Sequence, residues 1–143
     1  MRVQFRLHMK TCFLLIAHAP LASALRACAL HVFPECEAQV LALDVPAYSQ
    51  PAEMREAARS LMNRSRAAQV LLFSDVVGAT PCNVAQSLVQ DGGARLIAGV
   101  NLPMLLRAVN YRDEDLPDLV ERALSGGAQG MVELRALALS KEQ

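Results

Sequence analysis

Tryptophan is absent from these 143 residues and aromatics make up only 4% of them, so the core has to be built from Ala, Leu, Val and Met. No excess of charge of one sign exists either. Lys and Arg number 14 against 14 Asp and Glu, which removes the one-sided basic surface expected of a nucleic-acid-binding module. A modest excess of base in the first half and of acid in the second is the pattern of a solvated surface. No apolar run reaches the 18 or more residues a membrane span needs, so an integral membrane protein is excluded. Low-complexity tracts are missing, and 53% of the chain is apolar, which excludes disorder.

Cysteine is present but patternless. Cys12, Cys28, Cys36 and Cys82 have neither C-x-x-C spacing nor a histidine at zinc-ligand distance, so neither a disulfide framework nor a metal site is expected. They fit small buried hydrophobes of a reducing compartment, and the chain is expected to be cytoplasmic. The N-terminus imitates a signal peptide: Arg2, Arg6 and Lys10 precede the apolar Cys12–Ala17, and Ala22-Ser23-Ala24 resembles a cleavage site. His18 and Pro20 interrupt that run too early, and a first β-strand explains it better. Residues 1–10 are expected to be an extension, with Met9 an alternative start, ahead of a single domain at 11–137 and a tail at 138–143.

Along the chain, short apolar runs alternate with amphipathic stretches. Strands are expected at 12–17, 38–44, 69–74 and 95–100, where the runs are short, aliphatic and flanked by turn residues. Helices are expected between them. The first has Pro20 in its opening turn and a buried stripe of Leu21, Leu25, Cys28 and Val32, ending before Pro34. The next opens at Pro51 with Met54, Ala58, Leu61 and Met62 inside and Arg55, Arg59, Arg64 and Arg66 outside. A third runs from Pro81 through Gln90 to Gly92-Gly93, a short one spans 101–109, and the last covers 115–124 and is closed by Ser125-Gly126-Gly127. Residues 131–137 fit either a final strand or a helical tail. This alternation defines an α/β protein with a doubly wound, mainly parallel central sheet and helices on both faces.

Such sheets bind ligands beyond the carboxyl ends of their strands, where strand order reverses. The signatures G-x-x-x-x-G-K-[ST], G-x-G-x-x-G and G-x-S-x-G are all missing there, as is the acidic pair of a phosphate receiver. What stands there is His18 after the first strand, Asp75 after the third, and Gly78-Ala79-Thr80-Pro81 leading into a helix. On its own residues, His18 is open to two interpretations: a histidine satisfied by backbone groups, or a nucleophile that accepts a phosphoryl group. A nucleophilic imidazole needs one free ring nitrogen, with a carboxylate on the other fixing the tautomer, and Asp75 is placed to supply it. Asp75 is equally a plausible loop cap. Thr80 as N-cap and Pro81 at the first helical position make an ordinary helix start, yet they leave the amides of Cys82 and Asn83 facing outward as an anion seat. Asn101 and Pro103 are a helix start first and a site wall second. His8 and His31 have no such neighbours.

Taken together these residues carry a family resemblance. The segment Ala98-Gly-Val-Asn-Leu-Pro-Met104 resembles the Ala-Gly-Val-Asn-Ile-Pro-Met of the mannose-class IIA components of the bacterial sugar phosphotransferase system. Gly-Ala-Thr-Pro at 78–81 resembles the family's Gly-Gly-Ser-Pro, and the strand-end His18 and Asp75 complete the match over roughly residues 11–137. The resemblance implies a homodimeric phosphohistidine carrier that needs no cofactor or metal. His18 accepts a phosphoryl group from phospho-HPr through Nε2 and passes it to a IIB partner. Asp75 pairs with Nδ1, and Gly78, Ala79 and the Thr80 hydroxyl hold the phosphoryl oxygens. It also implies four parallel strands plus a C-terminal antiparallel strand exchanged between subunits. Departures are Ala17-His18-Ala19-Pro20 where the family often has Thr-His-Gly, and Ala79 in place of a glycine, which is expected to restrict the phosphate loop. The sequence given ends at Lys141-Glu-Gln143 without a IIB domain, which lends weight to a regulatory alternative, a binding protein whose phosphorylation state reports the system's activity. A plain ligand-binding α/β domain is the third possibility.

Overall fold

A computed structural model describes residues 9–89 and 92–138. Its regular elements are β1 (Thr11–His18), α1 (Leu21–Val32), β2 (Val40–Val45), α2 (Pro51–Ser65), β3 (Gln69–Ser74), α3 (Thr80–Ser87), β4 (Ala94–Ala98), α4 (Leu102–Asn110) and α5 (Leu116–Gln129), with a 3-10 turn at Pro34–Cys36. All four strands are parallel, in the order β2-β1-β3-β4, and α1 to α5 cover both faces. Residues Thr11 to Ala17 of β1 have no solvent exposure, which is why that strand is a continuous apolar run. Its alternation feeds two cores. Phe13, Leu15 and Ala17 pack with α1, α4 and α5, while Cys12, Leu14 and Ile16 pack with α2 and α3.

The buried stripe of α1 differs from the expected one. Ala22 and Ala29 are fully buried and Leu25 packs against the core, whereas Leu21, Cys28 and Val32 are exposed. Two alanines let the helix axis lie close on β1 and β2, and this turns the larger side chains outward. Cys28 is thereby an exception to the expectation of buried cysteines; Cys12, Cys36 and Cys82 are buried, and burial pushes the Cys12 thiol up to about 11. The third helix ends at Ser87, short of the expected run, and its anticipated last residue, Gln90, lies outside the described residues. So does His8.

Serine-glycine-glycine does not close the last helix. α5 runs through it to Gln129, because Gly126, Gly127 and Gly130 face α4 at backbone distance. A Cβ on Gly126 would stand 2.6 Å from Arg107 Cβ, and one on Gly130 would stand 2.3 Å from Pro103 Cβ. Asn101 binds the two helices from the other end. Its Oδ1 accepts from the Met104 amide at 2.9 Å, capping α4, while its Nδ2 donates to the Gly127 carbonyl at 3.1 Å. The Asn-Leu-Pro-Met segment is therefore a helix–helix fastening.

Beyond α5, residues 131–138 belong to neither of the expected forms. They run outside helix and strand, with Met131, Val132, Leu134 and Leu137 exposed. The described residues contain no antiparallel fifth strand and no exchange between subunits, since within one chain no sheet edge lies against this segment to bond it.

Alanine substitutions in α5 separate steric cost from helix propensity. Propensity favours Ala over Gly by about 1 kcal/mol, and overpacking costs about 1–3 kcal/mol. At Gly127 the nearest neighbour is the flexible end of Met104, 2.7 Å from the added Cβ, so Gly127→Ala should be nearly neutral. Arg107 Cβ and the Pro103 ring cannot swing away, so Gly126→Ala and Gly130→Ala should each lower the urea midpoint measurably. Equal effects at all three positions would contradict this packing.

Candidate functional site

β1 is the first strand in the chain, yet it lies between β2 and β3. The connections leaving β1 and β3 therefore part in opposite directions, and a crevice opens between their carboxyl ends. Register carries His18 and Asp75 to that crevice: Ile16 stands opposite Ser74, so both strands reach the rim within two residues of one another.

His18 and Asp75 touch. Asp75 Oδ2 lies 2.6 Å from His18 Nδ1 and also accepts the His18 backbone amide at 3.1 Å. The other oxygen, Oδ1, accepts the Val76 amide at 3.0 Å and the hydroxyl of the fully buried Ser74 at 3.4 Å. Four donors thus fix the carboxylate, which is only 13% exposed, while the imidazole is 51% exposed. Burial by itself pushes the Asp75 carboxyl up. Hydrogen bonds from the His18 ring, the His18 amide and its own loop more than offset this and hold it below the ordinary value. An ionised carboxylate can only accept, so Nδ1 of His18 carries a proton. In the neutral imidazole the lone pair is then on Nε2, which has no hydrogen-bond partner among the described residues.

Beside this pair, Gly78 turns the chain with φ +89°, a conformation that disfavours any side chain. Ala79 departs from expectation in a useful way. It is extended, with φ −111° and ψ 164°, so the residue replacing a family glycine imposes no backbone strain. Ala79 is also the N-cap of α3, whereas Thr80 was expected there, and no side chain caps the helix. Thr80 takes the first helical position and Pro81 the second, where its missing amide costs nothing. The amide of Asn83 donates to the Ala79 carbonyl at 3.0 Å and is not available to a ligand, contrary to expectation. The Thr80 and Cys82 amides precede the first possible intrahelical acceptor and remain free for one. Asn101 and Pro103 belong to the α4–α5 fastening and make no hydrogen bond to the pair.

The sequence reading passed over Ser74 and Asp44. Ser74 steadies Asp75 as described. Asp44, next to the end of β2, receives both the amide of Ser23, at 3.0 Å, and its hydroxyl. With the Ala19 amide on the Val45 carbonyl at 3.0 Å, this anchors the turn that follows His18. A carboxylate one residue before the end of a strand was the available signal. Among the described residues no three His, Cys, Asp or Glu side chains gather as a metal site.

These features define a class: a parallel α/β protein with a carboxylate-oriented histidine at the strand-order reversal and an uncapped helix start beside it. The model of the family described as the PTS system fructose IIA component, EIIA-man, matches residues 12–124, and the chain belongs to that family. The mannose-specific EIIAB component of the phosphotransferase system of Escherichia coli strain K12 is 37% identical over 75 residues, a stretch that is 50% of this chain and 23% of that protein. Among solved structures, the mannose/sorbose specific IIA subunit from Enterococcus faecalis superposes with a TM-score of 0.82 at 22% identity, over 92% of this chain and all of that one. The phosphotransferase system EIIA from Streptococcus agalactiae gives 0.77 at 23% identity, over 86% and 96%. At these identities the structural likeness concerns the fold.

The lowered carboxyl of Asp75 has a consequence for stability. Its folded-state value lies below the unfolded value of 3.8, so its contribution is complete above that value and is lost as pH falls through the folded one. Asp75→Asn should fold, with a lower thermal midpoint than the parent at neutral pH, and the two curves should converge in acid. Parallel curves down to pH 2.5 would show that Asp75 carries no such linkage.

Proposed function

We propose that this chain is a phosphohistidine carrier of the sugar phosphotransferase system. His18 accepts a phosphoryl group from phospho-HPr and passes it to a IIB partner. The observation that carries this is the 2.6 Å contact between Asp75 Oδ2 and His18 Nδ1, which leaves the Nε2 lone pair directed away from its partner on a half-exposed ring. Family membership supports it, and no described helix is long and apolar enough to cross a membrane, consistent with a cytoplasmic carrier.

The step is an in-line displacement. The Nε2 lone pair of His18 forms a bond to phosphorus as the N–P bond of the donor phosphohistidine breaks. That bond's electron pair returns to the donor ring, which leaves as neutral imidazole because its other nitrogen already carries a proton. His18 keeps its Nδ1 proton, so the product ring is an imidazolium whose charge Asp75 balances. No proton need be exchanged with solvent. Gly78 lets the loop backbone approach the phosphoryl oxygens, and the amides of Ala79 and Thr80 with the Thr80 hydroxyl hold them at the positive end of α3.

The working unit is proposed to be a homodimer. The extended, exposed residues 131–138 and the outer edge of β4 are both unpartnered, and pairing them between two copies would satisfy both. Sedimentation should then give a dimer at micromolar concentration, and a truncation after Gly130 should give a monomer. A monomeric full-length chain would remove this part of the proposal.

Incubation with phosphoenolpyruvate, enzyme I and HPr should add one phosphoryl group per chain by intact mass, lost on brief acidification because a phosphoramidate is acid-labile. His18→Ala should abolish the gain while keeping the fold, and His31→Ala should leave it unchanged. Asp75→Asn should slow transfer by at least about tenfold, a typical cost of losing a positioned acid–base partner. Phosphorylation of a folded His18→Ala protein would overturn the assignment.

A further inference from the structure

The charged residues of this chain avoid one edge of the sheet. The connections leaving the carboxyl ends of the strands are 19–20, 46–50, 75–79 and 99–101, and they contain a single charged side chain, Asp75, which is bound to His18. The first turns of α1, α3 and α4 add none. Asp44 is held by Ser23, and Glu53 in the first turn of α2 is the next carboxylate along the chain. At the opposite edge the surface is ordinary, with Lys10 on Asp115 at 2.8 Å and Arg122 on Glu114 at 3.0 Å.

In place of charge the rim carries exposed apolar groups. Tyr48 is 98% exposed, Val77 77%, Val76 50% and Leu21 38%. Outside residues 131–138, only Val32 and Leu124 among exposed large apolar side chains lie elsewhere. Because β2 and β3 flank β1, the loop with Tyr48 and the loop with Val76 and Val77 stand on either side of His18. A protein that brings its own phosphohistidine to Nε2 must cover this collar.

We infer that the collar of Leu21, Tyr48, Val76 and Val77 is the docking face for the phosphoryl donor, and that the donor meets it with an uncharged, apolar surface around its phosphohistidine. This rests on the carrier function proposed above. A lysine or glutamate of the donor buried here would lose its water with no opposite charge to meet, so the rim selects against charged faces of either sign. Recognition is by apolar contact, without electrostatic steering, and the phosphoryl group is the one large charge that enters or leaves the interface.

The test compares two donors, phospho-HPr and the small molecule phosphoramidate, on the full chain and on Tyr48→Lys, Tyr48→Glu, Val77→Lys and Val77→Glu. The sites are exposed, and unchanged thermal midpoints establish that the variants fold. With phospho-HPr, all four should lose about tenfold or more in kcat/KM, as buried central contacts do, whichever sign is introduced. The parent's rate should change less than about twofold between 50 and 500 mM salt, since no steering is present to be screened. Phosphoramidate should label His18 in parent and variants alike. A charge of one sign that accelerates phospho-HPr transfer, a steep salt dependence, or unchanged rates in all four variants would overturn the docking face. Absence of label on His18 from both donors would overturn the carrier function itself.

Discussion

The placement of β1 between β2 and β3 is the constraint from which the rest follows. A strand that is first in the chain but central in the sheet must be apolar on both faces, and Thr11 to Ala17 meet that demand without a single exposed side chain. The same placement sends the chain off in opposite directions after β1 and β3, so the crevice at their carboxyl ends is a result of strand order. His18 is the first residue of β1 to leave the core, and Asp75 the first after β3. Their contact is fixed by the register of two buried strands, which is a far stiffer support than a pair of loops could give.

The second layer is held differently. α4 and α5 meet through glycine and proline at backbone distance, with Asn101 capping one helix and reaching the other. With few aromatics available, close backbone approach substitutes for large side chains in bringing the two helices together. Leu105, Ala108, Val109, Leu119 and Ala123 then close over the Phe13 face of β1. The conspicuous Ala98–Met104 segment thus serves the scaffold, and its tie to the site runs through the sheet.

Strand order, the His18–Asp75 pairing and the parallel sheet were legible because each rests on a local pattern: a short apolar run, or a chemically distinctive residue at its end. What could not be read depends on contacts distant in sequence. Ser125-Gly126-Gly127 has the composition of a helix stop, and only the presence of Pro103 and Arg107 across the interface explains why the helix continues. Leu21, Cys28 and Val32 have helical spacing as good as that of Ala22 and Ala29, but sheet proximity chose the smaller stripe. Thr80 has the chemistry of a cap, yet the turn at Gly78 sets the helix start one residue earlier and gives that position to Ala79. Residues 131–138 alternate well enough for a strand, and a strand is a statement about a neighbour that one chain does not contain.

On the proposed function, the uncharged rim also bears on how readily the phosphoryl group moves on. A dianion held by lysine or arginine would be stabilised in place, and transfer to the next protein would have to break those ion pairs. Here the loops that surround His18 offer no cation, so the group is met by backbone dipoles at the start of α3 and by the imidazolium it creates. That imidazolium exists only while the phosphoryl group is attached, and Asp75 compensates it in either state without moving. The arrangement holds the group in a defined orientation while binding it weakly. These are the two properties a carrier needs and a phosphatase or a permanent binding site does not.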